Sequence, residues 1–272
     1  MNSTLGQGTW SMGDVAAHKA QEVRALQLGI DLGMTVIDTA EMYADGGAEK
    51  VVGEAIAGRR SEVQVVSKVL PQNASRKGTI TACERSLKRM KIDHIDLYLL
   101  HWQGSHPLQD TLDALVELKQ AGKILEFGVS NFDTHDMRKA ESLRGGEGIV
   151  ANQVLYNLRR RGVEWDLLPW CRERDITLMA YSPLESDRKE QKALLSDPAL
   201  LSVAEHHRAT PAQIALAWLL RDPAVLAIPK ASSEAHVREN AGALAISLRQ
   251  EDFATLDKAF APPRRATPLD ML

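Results

Sequence analysis

Short apolar segments recur along the chain at regular intervals, and each is followed by a stretch whose apolar residues have helical spacing. The segments are rich in Val, Ile and Leu, and they do not alternate cleanly between apolar and polar positions. Parallel strands buried on both faces have this composition, because neither face meets water. Eight strands are therefore predicted, of which the first is the weakest, within residues 6–10, 35–39, 63–68, 95–101, 124–130, 150–154, 177–182 and 225–230.

The stretches between these segments carry the start and stop signals of helices. The clearest apolar series is Ile80, Cys83, Leu87 and Met90. Thr210 followed by Pro211 predicts a helix start, since threonine can cap free N–H groups and proline fits the first helical position. Gly33 and Gly122 follow two further helical patterns and predict helix ends.

Strands and helices that alternate in one continuous chain indicate an α/β fold. Eight repeats favour a (β/α)8 TIM barrel over the competing arrangement, a doubly wound open sheet. We expect a single domain over residues 1–272, because barrels of this length commonly form one unit. Its short C-terminal tail, which includes residues 261–268, is predicted to be extended, since its prolines disfavour a helix.

Polar and aromatic residues gather at the predicted carboxyl ends of the strands. They include Asp38, Lys68, His101, Ser130, Asn131, Gln153, Tyr181 and Lys230. In a (β/α)8 barrel the chemistry takes place at this end of the strands. The sequence therefore predicts that these residues belong to a single site.

Composition narrows the class of protein without identifying a function. The 272 residues are 44% hydrophobic and 25% charged, with a formal net charge of −3, as is typical of soluble globular proteins. No long basic block is present, so no nucleic-acid partner is expected, and the run Arg159-Arg160-Arg161 is interpreted as a solvated loop. Without a recognisable signal peptide or membrane span, we expect a cytoplasmic protein. Cys83 and Cys171 lack metal-ligand spacing, and no metal is expected.

Four residues at or near the strand ends form a set that can reduce a carbonyl group. Hydride addition leaves negative charge on the carbonyl oxygen, so a proton donor must act there. Tyr43 is the predicted donor, and the ammonium of Lys68 is expected to lower its pKa. Asp38 would hold Lys68 in place. His101 would donate a hydrogen bond to the carbonyl oxygen, an interaction worth about a hundredfold or more in rate.

Eight short motifs, each weak alone, are specific when taken together. They are Gly8-Thr-Trp10, Asp38-Thr-Ala-Glu-Met-Tyr43, Ser67-Lys68, Leu99-Leu-His101-Trp102, Gly128-Val-Ser-Asn131, Asn152-Gln153, Ala180-Tyr-Ser-Pro-Leu184 and Ile228-Pro-Lys230. In these motifs the chain resembles the aldo-keto reductase family over nearly its full length. Residues 40–49 and 168–171 are similar to bacterial members that reduce small reactive aldehydes such as methylglyoxal.

The resemblance implies a nicotinamide cofactor that is bound without a glycine-rich dinucleotide loop. NADPH is the expected form, with NADH as the alternative. By this resemblance Tyr181 would stack on the nicotinamide ring, while Ser130, Asn131 and Gln153 would hold its carboxamide. The remaining cofactor contacts would come from Thr9, Trp10, Asp38, Ser182, Leu184, Ser186, Lys230, Ala231, Ser233, His236, Glu239 and Asn240.

The chain departs from the family pattern at the adenosine end of the expected cofactor. Many members carry an arginine there that binds the 2′-phosphate, whereas this chain has His236. A neutral imidazole cannot offer the bidentate fork of a guanidinium. Because Lys230 and Ser233 remain, NADPH is still the expected cofactor, but its preference over NADH should be weaker.

Two features bear on the substrate. Trp10, Tyr43, His101 and Trp102 are predicted to line a shallow aromatic pocket that suits small aldehydes and ketones. The charged stretch 185–192 is either a solvated loop or a mobile flap near the cofactor.

The leading hypothesis is a monomeric, NADPH-dependent enzyme that reduces small aldehydes or ketones to alcohols. One alternative is a cofactor-sensing regulatory subunit with little turnover. Another is a Schiff-base lyase that uses Lys68, although such an enzyme would leave the motifs around Tyr181 and Lys230 without a purpose.

Overall fold

The computed structural model describes residues 4–272; residues 1–3, which the predicted domain includes, lie outside the described residues. Its eight strands are β1 (Gln7–Gly8), β2 (Val36–Asp38), β3 (Gln64–Val69), β4 (Ile95–Leu100), β5 (Ile124–Ser130), β6 (Ile149–Leu155), β7 (Thr177–Tyr181) and β8 (Val225–Ala227). All neighbours pair in parallel and in sequence order from β1 to β8. The N–H of Gly6 donates to Ala227 at 2.8 Å, and that of Gly8 donates to Pro229 at 3.0 Å, so the sheet closes on itself.

The described residues form eleven α-helices, and one or more of them follow every strand. They are α1 (Lys19–Asp31), α2 (Gly47–Ala55), α3 (Arg76–Met90), α4 (Leu108–Gln120), α5 (Thr134–Glu141), α6 (Leu167–Arg172), α7 (Arg188–Leu195), α8 (Pro198–His207), α9 (Pro211–Leu219), α10 (Glu234–Gly242) and α11 (Gln250–Ala259). None of these helices has the length and hydropathy that a bilayer-spanning helix requires.

The predicted (β/α)8 barrel is confirmed, with each strand inside or close to the segment assigned to it. The last strand is shorter than predicted and ends at Ala227, because Pro229 has no N–H to continue the ladder. The predicted start of α9 is also confirmed. Thr210 accepts a hydrogen bond from the N–H of Gln213, and the Gln213 side chain accepts one from the Thr210 N–H.

The apolar core has two layers. The inner layer fills the barrel and consists of Val36, Val66, Leu97, Leu99, Ala151, Met179, Leu226 and Ile228. The outer layer lies between the strands and the helices that surround them. It includes Cys83 and Cys171, which are free thiols buried as packing residues.

One prediction about a charged segment was wrong. Arg161 is not solvated: it is 7% exposed and pairs with Glu164 and Asp257, because its guanidinium packs over the ring of the buried Trp218. The charged stretch 185–192, expected as either a solvated loop or a mobile flap, is partly helical. Its second half begins α7, whose first N–H groups are capped by the carboxylate of Asp187.

Candidate active site

The alternation of side chains along the strands brings the site residues together. Five interior residues, one on each of five strands, are fully buried: Val36, Val66, Leu99, Ala151 and Met179. Two positions further along the chain lie Asp38, Lys68, His101, Gln153 and Tyr181. Because every second side chain of a strand faces the same side, these five side chains meet at the mouth of the barrel.

The amine of Lys68 lies at the centre of the site and has three partners. Its Nζ donates to Asp38 Oδ2 at 2.8 Å, to the carbonyl oxygen of Thr39 at 2.8 Å and to the Tyr43 hydroxyl at 3.1 Å. The Lys68 side chain is 0% exposed, so all of its donors are used inside the protein. A phenol, an ammonium and a carboxylate therefore form one hydrogen-bonded chain.

The second oxygen of Asp38 is also occupied. Gln153 on β6 donates from Nε2 to Asp38 Oδ1 at 2.8 Å. A hydrogen bond from the hydroxyl of Thr9 to the Asp38 backbone oxygen, 2.9 Å long, ties the start of the barrel to the same residue. Asp38 is thus fixed by partners on both sides.

The surroundings keep Tyr43 protonated and Lys68 charged. Burial raises the pKa of Tyr43 above 10.0, the nearby Lys68 ammonium opposes this, and Asp38 adds to it. The predicted effect of Lys68, to lower the pKa of Tyr43, is present, but burial outweighs it and the net shift is upward. Burial also disfavours the ammonium of Lys68, but Asp38 and Tyr43 outweigh that effect, and the pKa of Lys68 is raised.

The imidazole of His101 is neutral at ordinary pH. Burial, assisted by the charge of Lys68, lowers the pKa of His101 to about 2. Its Nδ1 atom is buried and has no hydrogen-bond partner among the described residues. A neutral imidazole here can donate one hydrogen bond without carrying a positive charge into the site.

Aromatic rings form a continuous row around the phenol. The ring centroids of Trp10 and Tyr43 are 5.0 Å apart, those of Tyr43 and His101 are 5.9 Å apart, and those of His101 and Trp102 are 4.8 Å apart. Trp10 is 56% exposed, so it stands at the rim of the site rather than in the core. The four residues assigned to the substrate pocket are therefore contiguous.

The residues assigned to the nicotinamide carboxamide lie beside this row but already have internal partners. Asn131 donates to the backbone oxygen of His101 at 3.2 Å, and its Oδ1 accepts from the Tyr181 hydroxyl at 2.9 Å. Ser130 donates to the backbone oxygen of Gln153 at 2.8 Å. The ring of Tyr181 is thereby held at the end of β7 by its own hydroxyl.

The loop after β7 is tied down by a neighbouring arginine. Arg160 pairs with the buried Glu185 at 3.4 Å and lies 3.8 Å from Asp270 in the C-terminal tail. Three residues assigned to the cofactor lie in this loop or just before it: Ser182, Leu184 and Ser186.

The residues assigned to the adenosine end lie in α10 and in the segment between β8 and this helix. Ser233 caps this helix by accepting from the N–H of His236 at 3.4 Å, and the His236 side chain is exposed. The ammonium of Lys230 is 3.3 Å from the hydroxyl of Ser232. The other assigned residues are Ala231, which precedes the helix, and Glu239 and Asn240, which lie in its second half; Ala231 and Asn240 are buried.

Two buried glutamates near the site were missed in the sequence. Glu41 accepts from the Leu70 N–H and from the Asn73 amide, both at 2.9 Å, and joins the loops after β2 and β3. Glu49 is 0% exposed on α2 and accepts from Ser67 at 2.7 Å. The signal that could have identified Glu49 is its position on the helix face that also carries Ala48, Val51 and Val52.

No group of three or more histidine, cysteine or acidic side chains within residues 4–272 is arranged to hold a metal ion.

Comparison with known proteins gives consistent matches over almost the whole chain. The model of the aldo/keto reductase family matches residues 4–261. Methylglyoxal reductase YeaE of Escherichia coli is 49% identical over 98% of this chain and 94% of its own length. Glyoxal reductase of Bacillus subtilis is 35% identical over 87% of this chain and 83% of its own length. A crystal structure of an aldo/keto reductase from Klebsiella pneumoniae in complex with NADP and acetate has a TM-score of 0.97 and 50% identity, covering 99% of this chain and 95% of that one.

Proposed function

The chain belongs to the aldo/keto reductase family, and from this premise we propose that it is an NADPH-dependent reductase of small aldehydes and ketones such as methylglyoxal. The observation that carries the proposal is the hydrogen-bonded chain from the Tyr43 phenol through the Lys68 ammonium to the Asp38 carboxylate. A buried phenol paired with a buried ammonium serves little structural purpose. The phenol can, however, deliver a proton, and the ammonium can stabilise the phenolate that is left.

In this proposal the four reacting groups divide the work of protonating a carbonyl oxygen. Tyr43 holds its proton at neutral pH, because its pKa is raised, and donates it as negative charge develops. Lys68 remains an ammonium and stabilises the phenolate that is left. His101 donates a hydrogen bond from its neutral ring to the same carbonyl oxygen and orients the substrate. The nicotinamide, when bound, supplies the hydride.

The donors and acceptors at the strand ends fit a nicotinamide carboxamide. Gln153 uses Nε2 to bind Asp38, so its Oε1 is directed away from that carboxylate and can accept from the carboxamide NH2. Asn131 Oδ1 accepts from the Tyr181 hydroxyl with one lone pair, and its second lone pair can also accept from the carboxamide NH2. The Tyr181 ring, held by that hydrogen bond, can pack against the nicotinamide face and orient it towards Tyr43.

The start of α10 fits the phosphate end of NADPH. Helix N-termini favour negative charge, and α10 is preceded by the exposed ammonium of Lys230. The relative from Klebsiella pneumoniae was crystallised with NADP, which supports the same cofactor for this chain. His236 offers less to a phosphate than an arginine would, so we propose a modest preference for NADPH over NADH.

The substrate class follows from the pocket and from the relatives. The wall from Trp10 to Trp102 is aromatic and opens to solvent at Trp10, which suits compact carbonyl compounds. The two bacterial relatives are named for the reduction of methylglyoxal and glyoxal. We therefore propose 2-oxoaldehydes as the first compounds to test.

The test is the oxidation of NADPH, followed by its absorbance, with methylglyoxal, glyoxal and a panel of small aldehydes and ketones. We expect turnover in the wild type and a loss of about a hundredfold or more in kcat for Tyr43→Phe, which removes the proton donor. The Kd for NADPH, measured by fluorescence titration, should change little. Near-normal activity in Tyr43→Phe would exclude Tyr43 as the acid.

The same assay tests the alternative of a cofactor-sensing regulatory subunit. Such a protein should bind NADPH but turn over poorly with every carbonyl compound. A cytoplasmic monomer remains our prediction for the state of the protein in the cell.

A further inference from the structure

The turn that carries Tyr43 has an unusual backbone. Directly after Tyr43, Ala44, Asp45 and Gly46 have φ values of 51°, 50° and 79°. Left-handed conformations are unfavourable for residues with a Cβ atom, and two non-glycine residues in succession adopt them here. Such a turn persists only if its surroundings hold it.

Arg89, on the last turn of α3, covers this turn from outside the barrel. A Cβ atom placed on Gly46 would lie 2.5 Å from Cδ and 2.6 Å from Nε of Arg89. A side chain at position 46 would therefore displace Arg89, and the positive φ of this residue also favours glycine. The guanidinium of Arg89 bonds to Glu49 Oε2 through Nε at 2.5 Å and to the Ser86 hydroxyl through Nη2 at 3.2 Å.

Glu49 connects this arginine to the strand that carries Lys68. Its Oε1 accepts a hydrogen bond from the hydroxyl of Ser67 at 2.7 Å, and its side chain is fully buried. Ser67 precedes Lys68 on β3, so its side chain faces outward while that of Lys68 faces the site. One oxygen of Glu49 thus binds Arg89, which covers the Tyr43 turn, and the other binds Ser67 on β3, the strand that carries Lys68.

We propose that Glu49 and Arg89 are positioning residues that hold the Tyr43 hydroxyl at hydrogen-bond distance from Lys68. Neither residue contacts the reacting groups. They lie on the outer side of β3 and fix this strand and the left-handed turn in one relative position. This inference rests on the proposed function for its meaning in catalysis, but the geometry it concerns can be measured without turnover.

The kinetic test is Arg89→Lys, which leaves a cation near Glu49 but removes the guanidinium that covers Gly46. We expect kcat for methylglyoxal reduction to fall about tenfold, with the Kd for NADPH within twofold of wild type. Tyr43→Phe/Arg89→Lys should be no slower than Tyr43→Phe, because the effect of Arg89 passes through Tyr43.

The matched control is Arg60→Lys. Arg60 pairs with Asp96 at 2.6 Å, and Asp96 also accepts the N–H of Val65 at 2.7 Å, so this pair braces the opposite end of β3. It should change stability as Arg89→Lys does while leaving kcat within twofold. If Arg89→Lys fails to fold, Ser67→Ala removes only the hydrogen bond between β3 and Glu49, and we expect about a threefold loss in kcat.

A second readout needs no substrate. The phenolate of Tyr43 can be titrated at alkaline pH by its near-ultraviolet absorbance, as the difference between wild type and Tyr43→Phe. Burial raises the pKa of this phenol most; the Lys68 ammonium lowers it, the Asp38 carboxylate raises it, and the neutral His101 ring and the Trp10 ring pack beside it. If Arg89→Lys lets Tyr43 move, the titration shifts: to higher pH where the phenol stays buried but loses Lys68, and to lower pH where it becomes exposed to water.

The outcomes separate the two proposals. An unshifted titration, an unchanged kcat, or an equal loss of kcat in Arg60→Lys overturns the positioning role. A shifted titration in a protein that reduces no carbonyl overturns the proposed function and leaves the positioning role in place.

Discussion

His101 shows how the burial of one residue makes the free energy of unfolding depend on pH. Its pKa is about 2 in the folded protein, whereas an unfolded histidine has a pKa near 6.5. Below about pH 6.5 the unfolded chain therefore binds a proton that the folded one does not, and stability falls as the pH falls. The imidazole itself stays neutral throughout the pH range in which the enzyme can be assayed.

We therefore predict that His101→Asn flattens the acid side of the stability profile. Between pH 7 and pH 5 the wild type should lose about 2 kcal/mol more unfolding free energy than the variant does. Urea unfolding at several pH values measures this difference. A stability profile with the same acid slope in wild type and His101→Asn would contradict the assignment.

His236 is the residue at which we expect cofactor preference to be tunable. An arginine at this position, beside the start of α10, could form charge-assisted hydrogen bonds with a 2′-phosphate, which NADH lacks. We predict that His236→Arg raises the ratio of kcat/KM for NADPH to that for NADH by about three- to tenfold. His206→Arg adds the same charge on the exposed face of α8 and should not change the ratio. A flat ratio in His236→Arg would place the phosphate elsewhere.

At this scale the sequence indicates which side chains gather at the mouth, because strand ends and side-chain alternation determine that. It does not indicate which residues on the outer side of the strands support these side chains. The partners of Glu49 come from β3 and α3, and only the packing of the helices on the barrel brings Ser67 and Arg89 to one carboxylate. The net shift of Tyr43 was equally inaccessible, since it depends on how deeply the finished barrel buries the phenol.

Among the elements, helix starts and ends were predicted well because they depend on local chemistry. The ends predicted at Gly33 and Gly122 agree with α1 and α4, where both glycines have positive φ. The start of α7 was missed, because the charged stretch before it resembles a loop and only Asp187 marks the cap. Strand lengths were overestimated where tertiary pairing ends before the apolar run does.

The cap of α9 gives a prediction at this scale. Thr210→Ala removes one of the two reciprocal hydrogen bonds of the capping box, and we expect it to lower the unfolding free energy by about 1 kcal/mol. Chemical denaturation measures the change, and kcat should be unaffected. Thr255 is an exposed threonine inside α11, and Thr255→Ala should have little effect or a slightly stabilising one. A similar loss in both variants would mean that the cap contributes nothing specific.

For the whole molecule, the barrel class followed from the repeating pattern, whereas the contacts that tie distant segments together did not. Arg161 shows why. In the sequence it is the last of three consecutive arginines, but in the fold it bonds to the carboxylate of Asp257 on α11 at 2.7 Å and to the backbone oxygen of Phe260. The separation along the chain, nearly a hundred residues, hides such a contact from any local pattern.

We predict that Arg161→Met lowers the unfolding free energy by about 1–3 kcal/mol, because it removes a buried guanidinium and its hydrogen bonds to Glu164 and Asp257, although Glu164 keeps Arg221 as a partner. Arg159→Met, which breaks a more exposed pair with Glu190, should cost less than about 1 kcal/mol. Both variants should keep the wild-type kcat. Equal losses in the two variants would show that Arg161 is no more important than its neighbour.

The hydrogen bond from Gln153 to Asp38 joins residues that are 115 positions apart. All four groups proposed to react are contributed by the first 101 residues. A nascent chain of that length would contain all four of these side chains. One oxygen of Asp38 would still be exposed to water, because Gln153 would not yet have been added. We therefore expect a separately produced N-terminal half to reduce no carbonyl until the C-terminal half is added and closes the barrel.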